Sequence, residues 1–196
     1  MSEVLILDLG YGNTRSVALA FERLGVRATL SSDPAEAEQA NRVVLPGVGA
    51  AGAAMERLRQ TGLDHALRNR TRPTLAICLG MQLMFEASDE DGGTALLGLL
   101  PGIVTALRPA PGRPVPHMGW SALDTRTSGI GLDPGAYVYF AHGYVCPDGP
   151  ATAATATYGD ATIPAAVRSG AWWGAQFHPE RSSVAGSRFL EAFLSS

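Results

Sequence analysis

The sequence predicts an α/β fold with a central, mostly parallel sheet flanked by helices and a mixed or antiparallel extension in its second half. Two observations predict the parallel part. Short runs rich in apolar residues alternate with helical patterns through the first half, and most of these runs are mainly apolar, as expected of a sheet covered on both faces. A third observation predicts the extension, because strand-like runs in the second half follow one another with Pro and Gly turns between them.

The first half contains four predicted strands with helical segments between them. The strands are predicted at residues 4–7, 26–30, 42–45 and 74–77. Helical spacing is found at residues 14–24, around 55–58, at 63–67 and at 81–85. Asn13 and Thr14 stand where a helix cap is expected, and Gly25 is expected to end the first helix.

The second half contains six predicted strands and a final helix. The strands are residues 103–107, 115–123, 137–141, 151–158, 165–168 and 172–177, and the helix is residues 184–194. No linker-like segment separates the two halves. We therefore expect residues 1–196 to form one domain that shares one core.

Composition limits the classes of function. Hydrophobic residues make up 46% of the 196 residues and charged residues 17%, which is typical of a globular chain. The net charge of −3 and the lack of a basic cluster predict no nucleic-acid partner. Two cysteines are too few for a disulfide framework, and no signal peptide or apolar run of about 18 residues occurs, so a cytoplasmic location without membrane association is expected.

Cys78 stands between a predicted strand and a predicted helix. The strand runs into the segment Ala76-Ile77-Cys78-Leu79-Gly80, where small residues lie two positions to either side of the cysteine. This arrangement is typical of a nucleophile elbow, a tight turn that exposes the nucleophile at the end of a sheet. The start of a helix favours a thiolate and supplies a backbone N–H to an oxyanion. Judged from this five-residue segment alone, Cys78 fits an inert buried cysteine as well as it fits a nucleophile.

His178 and Glu180 are separated by one residue in an extended segment. Strand alternation puts both side chains on one side, so the carboxylate can hold one ring nitrogen while the other nitrogen exchanges a proton. A single histidine is more often structural than catalytic. Together with a cysteine on an elbow, this pair predicts a Cys–His–Glu triad and therefore an enzyme.

Two glycine-rich segments follow predicted strands. Gly47, Val48 and Gly49 lie at the carboxyl end of a parallel strand, where ligands of such sheets bind, and two glycines would allow a peptide to present its N–H to substrate. An ordinary Gly-rich turn is the alternative. The segment at residues 10–13 lacks the third glycine of a dinucleotide fingerprint, so we expect no nucleotide cofactor, and we expect no metal site.

With these motifs the chain resembles the class I, triad-type glutamine amidotransferases and, among them, the glutaminase subunits of imidazole glycerol phosphate synthases. The general signal is CLGMQ at residues 78–82 together with FHPE at residues 177–180. The narrower signal is LDLGYGNTRSV near the start, LPGVGA at 45–50, VPHMGW at 115–120, YFAHGY at 139–144 and QFHPERS at 176–182. The resemblance covers the whole chain.

The resemblance implies a glutaminase fold and mechanism. Cys78 would attack the side-chain amide of L-glutamine, with His178 and Glu180 completing the triad. The substrate and its oxyanion would be held by Gly47, Val48, Gly49, Leu79, Gln82, Gly143 and Tyr144. The sequence departs from the family pattern at Ala76, usually glycine, at Gly143, usually serine or threonine, and at Arg181, usually lysine.

The resemblance also implies a partner. Such glutaminases form a heterodimer with a cyclase subunit, a (β/α)8 barrel that receives the ammonia, so that the complex acts as a lyase in histidine biosynthesis. The candidate docking residues are Tyr11, Asn13, Trp120, Tyr139 and Arg181, although each also fits an ordinary structural role. The alternatives are the glutaminase subunit of another amidotransferase and a non-catalytic α/β protein with an elbow cysteine.

Overall fold

The computed structural model describes residues 3–10 and 12–196. Its strands are β1 (Glu3–Leu7), β2 (Arg27–Ser31), β3 (Val43–Leu45), β4 (Thr74–Ile77), β5 (Ala87–Ser88), β6 (Thr94–Ala95), β7 (Ile103–Ala106), β8 (His117–Thr125), β9 (Tyr137–His142), β10 (Tyr144–Val145), β11 (Thr152–Tyr158), β12 (Ala161–Ser169) and β13 (Trp172–Ala175). Its α-helices are α1 (Thr14–Arg23), α2 (Pro34–Gln39), α3 (Ala51–Thr61), α4 (Leu63–Arg68), α5 (Leu79–Leu83) and α6 (Ser183–Leu194). Two 3₁₀ turns lie at Glu90–Gly92 and Pro179–Arg181.

One sheet runs through both halves of the described chain. Its nine strands have the order β2-β1-β3-β4-β13-β12-β11-β8-β9. Strand β13 is the junction, because it pairs in parallel with β4 and antiparallel with β12. The mostly parallel sheet with an antiparallel extension is therefore confirmed.

Helices cover both faces of the parallel part, which explains the continuous apolar runs in β1, β3 and β4. Side chains alternate across a strand, so Val4 and Ile6 of β1 pack in one core and Leu5 and Leu7 in the other. The first core includes Phe21 of α1 and Phe193 of α6, and the second includes apolar side chains of α3, α4 and α5.

Two parts of the fold differ from the sequence expectations. Helix α2 was not predicted, although its start carries a recognisable signal: the Asp33 carboxylate accepts from the Ala35 N–H at 2.8 Å, and Pro34 follows at the first helical position. Strand β7 was predicted, but it pairs in a separate four-stranded sheet with the order β10-β7-β5-β6. The other three strands of that sheet have two residues each, too few to show a sequence period.

No helix in residues 3–10 and 12–196 combines the length and the apolar character that crossing a membrane requires.

Candidate active site

Cys78 occupies a strained turn between β4 and α5. Its backbone has φ 53° and ψ −110°, a left-handed φ that non-glycine residues adopt only when the surroundings hold them there. The Cys78 N–H donates to the Ala175 carbonyl of β13 at 2.6 Å, and the Cys78 carbonyl accepts from the Gln82 N–H at 3.2 Å. The neighbouring strand and the first turn of α5 therefore hold the cysteine in the elbow geometry that the sequence predicted.

Two glycines are needed to pack the elbow. A Cβ on Gly80 would overlap the Leu45 carbonyl oxygen at the end of β3, so only glycine lets α5 start there. A Cβ on Gly47 would lie 2.7 Å from the Gly80 nitrogen and 2.8 Å from the Leu79 Cβ. The segment Gly47–Gly49 thus rests directly against the elbow, and Gly49 has a left-handed φ of 92°.

His178 and Glu180 form the buried pair that the sequence predicted. His178 Nδ1 lies 2.9 Å from Glu180 Oε1, and the Glu180 side chain is 2% exposed. The His178 backbone is held on both sides, because its N–H donates to the Tyr139 carbonyl at 2.9 Å and its carbonyl accepts from the Ser182 hydroxyl at 2.7 Å. A carboxylate on Nδ1 leaves Nε2 free to exchange a proton.

The electrostatics of this pair favour a charged imidazole. Burial by itself lowers the pKa of His178, but interactions with the Cys78 and Glu180 side chains outweigh burial and raise that pKa from 6.5 to about 10. The structure therefore brings the three predicted triad residues together. An imidazolium beside a sulfur is the arrangement that stabilises a nucleophilic thiolate.

Gln176 lies against the cysteine and was missed by sequence reasoning. Its side chain is fully buried, with Nε2 3.7 Å from Cys78 Sγ. Gln82 donates from Nε2 to the Tyr144 carbonyl at 3.2 Å and to Gln176 Oε1 at 3.1 Å. The sequence analysis expected an extended segment here, but β13 ends at Ala175 and Glu180 lies in the 3₁₀ turn Pro179–Arg181, so strand alternation does not relate residues 176, 178 and 180. Gln176 reaches Cys78 because β13 lies beside β4.

Behind this network lies a pair of histidines, His117 and His142, whose contact the sequence analysis did not predict. His117 Nδ1 lies 3.0 Å from His142 Nε2, and both rings are buried. Burial lowers the pKa of each histidine from 6.5 to about 4, so both are neutral at neutral pH.

Cys146 is a free, buried thiol. Burial, and to a lesser degree the charge of Cys78, raises the pKa of Cys146 well above its ordinary value. It therefore stays protonated and unreactive at neutral pH.

Three of the candidate docking residues form one surface cluster. The Arg181 guanidinium lies 4.9 Å from the centre of the Tyr139 ring, and Trp120 packs edge-on to that ring at 6.0 Å. Trp120 is 51% exposed. Asn13 is exposed at the start of α1, where its side chain makes no capping hydrogen bond to the described residues. Tyr11 lies outside the described residues.

The part of the chain that the structure describes contains no group of three or more His, Cys, Asp or Glu side chains that could hold a metal ion.

Comparison with known proteins gives matches along the whole chain. The family model for glutamine amidotransferase class-I matches residues 5–196. The imidazole glycerol phosphate synthase subunit HisH of Xanthomonas axonopodis pv. citri is 49% identical over 197 residues, covering 99% of this chain and 98% of that protein. The protein of the same name from Yersinia pseudotuberculosis is 43% identical and covers 98% of both chains.

Solved structures agree on the fold. A crystal structure of a glutamine amidotransferase has a TM-score of 0.77 at 24% identity, covering 98% of this chain and 97% of that chain. A chain of PurLQS from Thermotoga maritima has a TM-score of 0.71 at 19% identity, covering 99% of this chain and 98% of that chain. At these identities the likeness shows the fold alone.

Proposed function

The chain belongs to the class-I glutamine amidotransferase family, and from that premise we propose that it is the glutaminase subunit of an imidazole glycerol phosphate synthase. It hydrolyses L-glutamine to L-glutamate and ammonia and passes the ammonia to a cyclase subunit. One observation carries this choice within the family: the relatives that bear this name are similar to the chain from end to end, at 43–49% identity. We place the reaction in the cytoplasm, where free thiols such as Cys78 stay reduced.

The proposed reaction begins with the Cys78 thiolate. The sulfur attacks the side-chain amide carbon of glutamine, and the carbonyl oxygen becomes an oxyanion. His178 gives its proton to the leaving ammonia as the C–N bond breaks, which leaves a thioester. A water molecule then loses a proton to His178, attacks the thioester and releases glutamate. Glu180 holds the His178 ring in orientation and stabilises its charged form.

Backbone groups next to the sulfur are proposed to bind the oxyanion and the substrate. The Leu79 N–H and one N–H from Gly47–Gly49 would stabilise the oxyanion. The close approach of Gly47 to Leu79 and Gly80 supports this assignment. Gln82 and the backbone of Gly143 and Tyr144 would hold glutamine, which is consistent with the contact between Gln82 and the Tyr144 carbonyl.

The proposed partner is a cyclase subunit with a (β/α)8 barrel. It would combine the ammonia with a phosphoribulosyl nucleotide to give imidazole glycerol phosphate and an aminoimidazole carboxamide ribotide. Docking is assigned to the face that carries Trp120, Tyr139 and Arg181. Asn13, exposed at the start of α1, and Tyr11, outside the described residues, remain candidate docking residues. The clustering of Trp120, Tyr139 and Arg181, one of them an exposed tryptophan, supports this face because Trp, Tyr and Arg are common interface anchors.

The test is glutamate release measured with and without the cyclase subunit and its nucleotide ligand. We expect strong stimulation by the liganded cyclase and none by the synthase subunits that make anthranilate or guanylate. Stimulation by one of those subunits instead would assign the chain to another amidotransferase. Absence of glutamate release under every condition would refute the glutaminase assignment.

A further inference from the structure

The Gln176 side chain presents an amide group to the nucleophile. Gln176 Nε2 lies 3.7 Å from Cys78 Sγ, within hydrogen-bond range for sulfur. No part of the proposed mechanism uses this contact, although it reaches a reacting atom. Whether it matters depends on which end of the amide faces the sulfur, because the NH₂ group donates and the oxygen would repel a thiolate.

The orientation of that amide follows from its neighbours. The Tyr144 carbonyl can only accept, so the Gln82 amide atom 3.2 Å from it must be the nitrogen. The same nitrogen lies 3.1 Å from the Gln176 amide, whose facing atom must therefore be the oxygen. Since the oxygen of Gln176 faces Gln82, its NH₂ group faces Cys78.

The carbonyl that sets this orientation is itself held by the buried histidines. Tyr144 O accepts from His142 Nδ1 at 2.8 Å, so the neutral His142 has its lone pair on Nε2. That nitrogen accepts from His117 Nδ1 at 3.0 Å, and His117 Nε2 accepts from the Ser121 hydroxyl at 3.0 Å. Every hydrogen bond in the series that runs from Ser121 through the two histidines, the Tyr144 carbonyl and the two glutamines to Cys78 thus has one donor and one acceptor.

We propose that Gln176 is a catalytic residue whose amide N–H donates to the Cys78 sulfur and stabilises its thiolate. Gln82, His142 and His117 are positioning residues that keep the NH₂ group turned toward the sulfur. A donor to a charged sulfur favours the thiolate over the thiol. The same N–H stabilises the thiolate when the thioester is hydrolysed and sulfur leaves the tetrahedral carbon.

This inference rests on the proposed function for its effect on turnover, but the ionisation of Cys78 can be measured without any substrate. The experiment measures the rate at which chloroacetamide alkylates Cys78 as a function of pH, followed by mass spectrometry of the peptide that contains Cys78. Only the thiolate reacts, so the rate reports its population.

The main variant is Gln176→Met, which keeps the length of the side chain and removes the donor. We expect the alkylation rate at neutral pH to fall about ten-fold and the pH midpoint of alkylation to rise by about one unit, the size typical of a lost hydrogen bond to a charged group. The other titratable groups around the sulfur are His178 and Glu180 of the triad, His142 of β9 and Cys146. All four remain in the variant.

Two further variants test the orientation. Gln176→Glu replaces the donor by a carboxylate, so the rate is expected to fall further than in Gln176→Met. Gln82→Met releases the Gln176 amide without touching the sulfur, so a smaller fall in the same direction is expected. The matched control is Thr155→Val, which makes a buried polar residue of β11 apolar and should leave the alkylation profile unchanged.

The outcomes separate this proposal from the glutaminase assignment. In the complex with the cyclase, Gln176→Met should lower kcat while KM for glutamine stays within a few-fold. An alkylation profile of folded Gln176→Met or Gln176→Glu equal to that of the wild type would overturn the role of Gln176. If both variants fail to fold, an alkylation profile of Gln82→Met equal to that of the wild type would overturn the role of Gln176 instead. A wild-type chain with the expected profile but no glutamate release would refute only the proposed function.

Discussion

The backbone N–H of His178 donates to the carbonyl oxygen of Tyr139 at 2.9 Å. The ring of Tyr139 packs against Trp120 and Arg181 at the surface. One residue of β9 therefore holds the triad histidine through its backbone and belongs to the surface cluster through its side chain. A partner bound to that cluster would contact the residue that positions His178.

The first prediction concerns the nucleophile. Cys78→Ala should abolish glutamate release, because no other described thiol lies beside His178, while cyclisation driven by added ammonia should persist in the complex. Both activities are measured on the same preparation. The rate of glutamate release by Cys146→Ala should stay within a few-fold of the wild-type rate, since burial keeps that thiol protonated. Glutaminase activity above background in Cys78→Ala would rule out this nucleophile.

The second prediction concerns Glu180. Glu180→Gln keeps the shape of the side chain and removes the charge that supports the His178 imidazolium across 2.9 Å. Loss of a triad carboxylate costs on the order of 10⁴-fold in a serine protease, and a Cys–His pair should depend on it less. We expect kcat to fall, but by less than in Cys78→Ala. Kinetics equal to the wild type would remove Glu180 from the triad.

The third prediction concerns the segment Gly47–Gly49 as a switch. A resting state in which the Val48 N–H points away from Cys78 would lack one oxyanion donor, which typically costs about 10²–10³-fold in turnover. Partner docking and nucleotide binding would shift the population toward the state with the donor in place. We therefore expect weak glutaminase activity from the chain alone and strong stimulation in the liganded complex. Full activity of the isolated chain would contradict this switch.

The fourth prediction concerns stability at low pH. Burial lowers the pKa of His117 and His142 from 6.5 to about 4, so the unfolded chain binds protons below pH 6.5 that the folded chain does not. The contribution of these two histidines to the free energy of unfolding should be at its full value above pH 6.5 and fall as the pH approaches 4, by at most about 1.4 kcal/mol per pH unit for each histidine. The contribution of His178 to stability changes with pH in the opposite direction. Its raised pKa adds stability below pH 6.5 that is lost between pH 6.5 and 10.

Urea unfolding at a series of pH values measures this dependence. His117→Gln should reduce the slope between pH 6.5 and 4, whereas His65→Gln, a change at an exposed histidine, should leave it nearly unchanged. An equal slope in the wild type and in folded His117→Gln would show that His117 is not buried in its neutral form.

The fifth prediction concerns docking. Trp120→Ala should weaken binding of the cyclase by 2 kcal/mol or more, about 30-fold in Kd, if Trp120 anchors the interface. The control is Leu30→Ala, which truncates an exposed apolar side chain on the edge strand β2. Binding is measured by titration calorimetry, and glutamate release by the isolated variant serves as a check on its fold. Equal losses in both variants, or none in Trp120→Ala, would place the interface elsewhere.

The sequence by itself was sufficient for the local features of this protein. Apolar runs predicted strands such as β4 because a strand buried on both faces has no polar side. The elbow at Cys78 and the pair His178 and Glu180 could be predicted because each depends on residues within a few positions of one another. The helix start at Asp33 was predictable in the same way but was missed.

Only the tertiary structure decided which distant residues meet. Gln176 and Cys78 are 98 positions apart, and they touch because β13 lies beside β4 in the sheet. His117 meets His142 because β8 pairs antiparallel with β9. Nothing local encodes these pairings, since the order of strands in a sheet is chosen by the packing of all strands and helices together. The polar network behind Cys78 therefore depends on the whole fold, whereas the elbow depends on one turn.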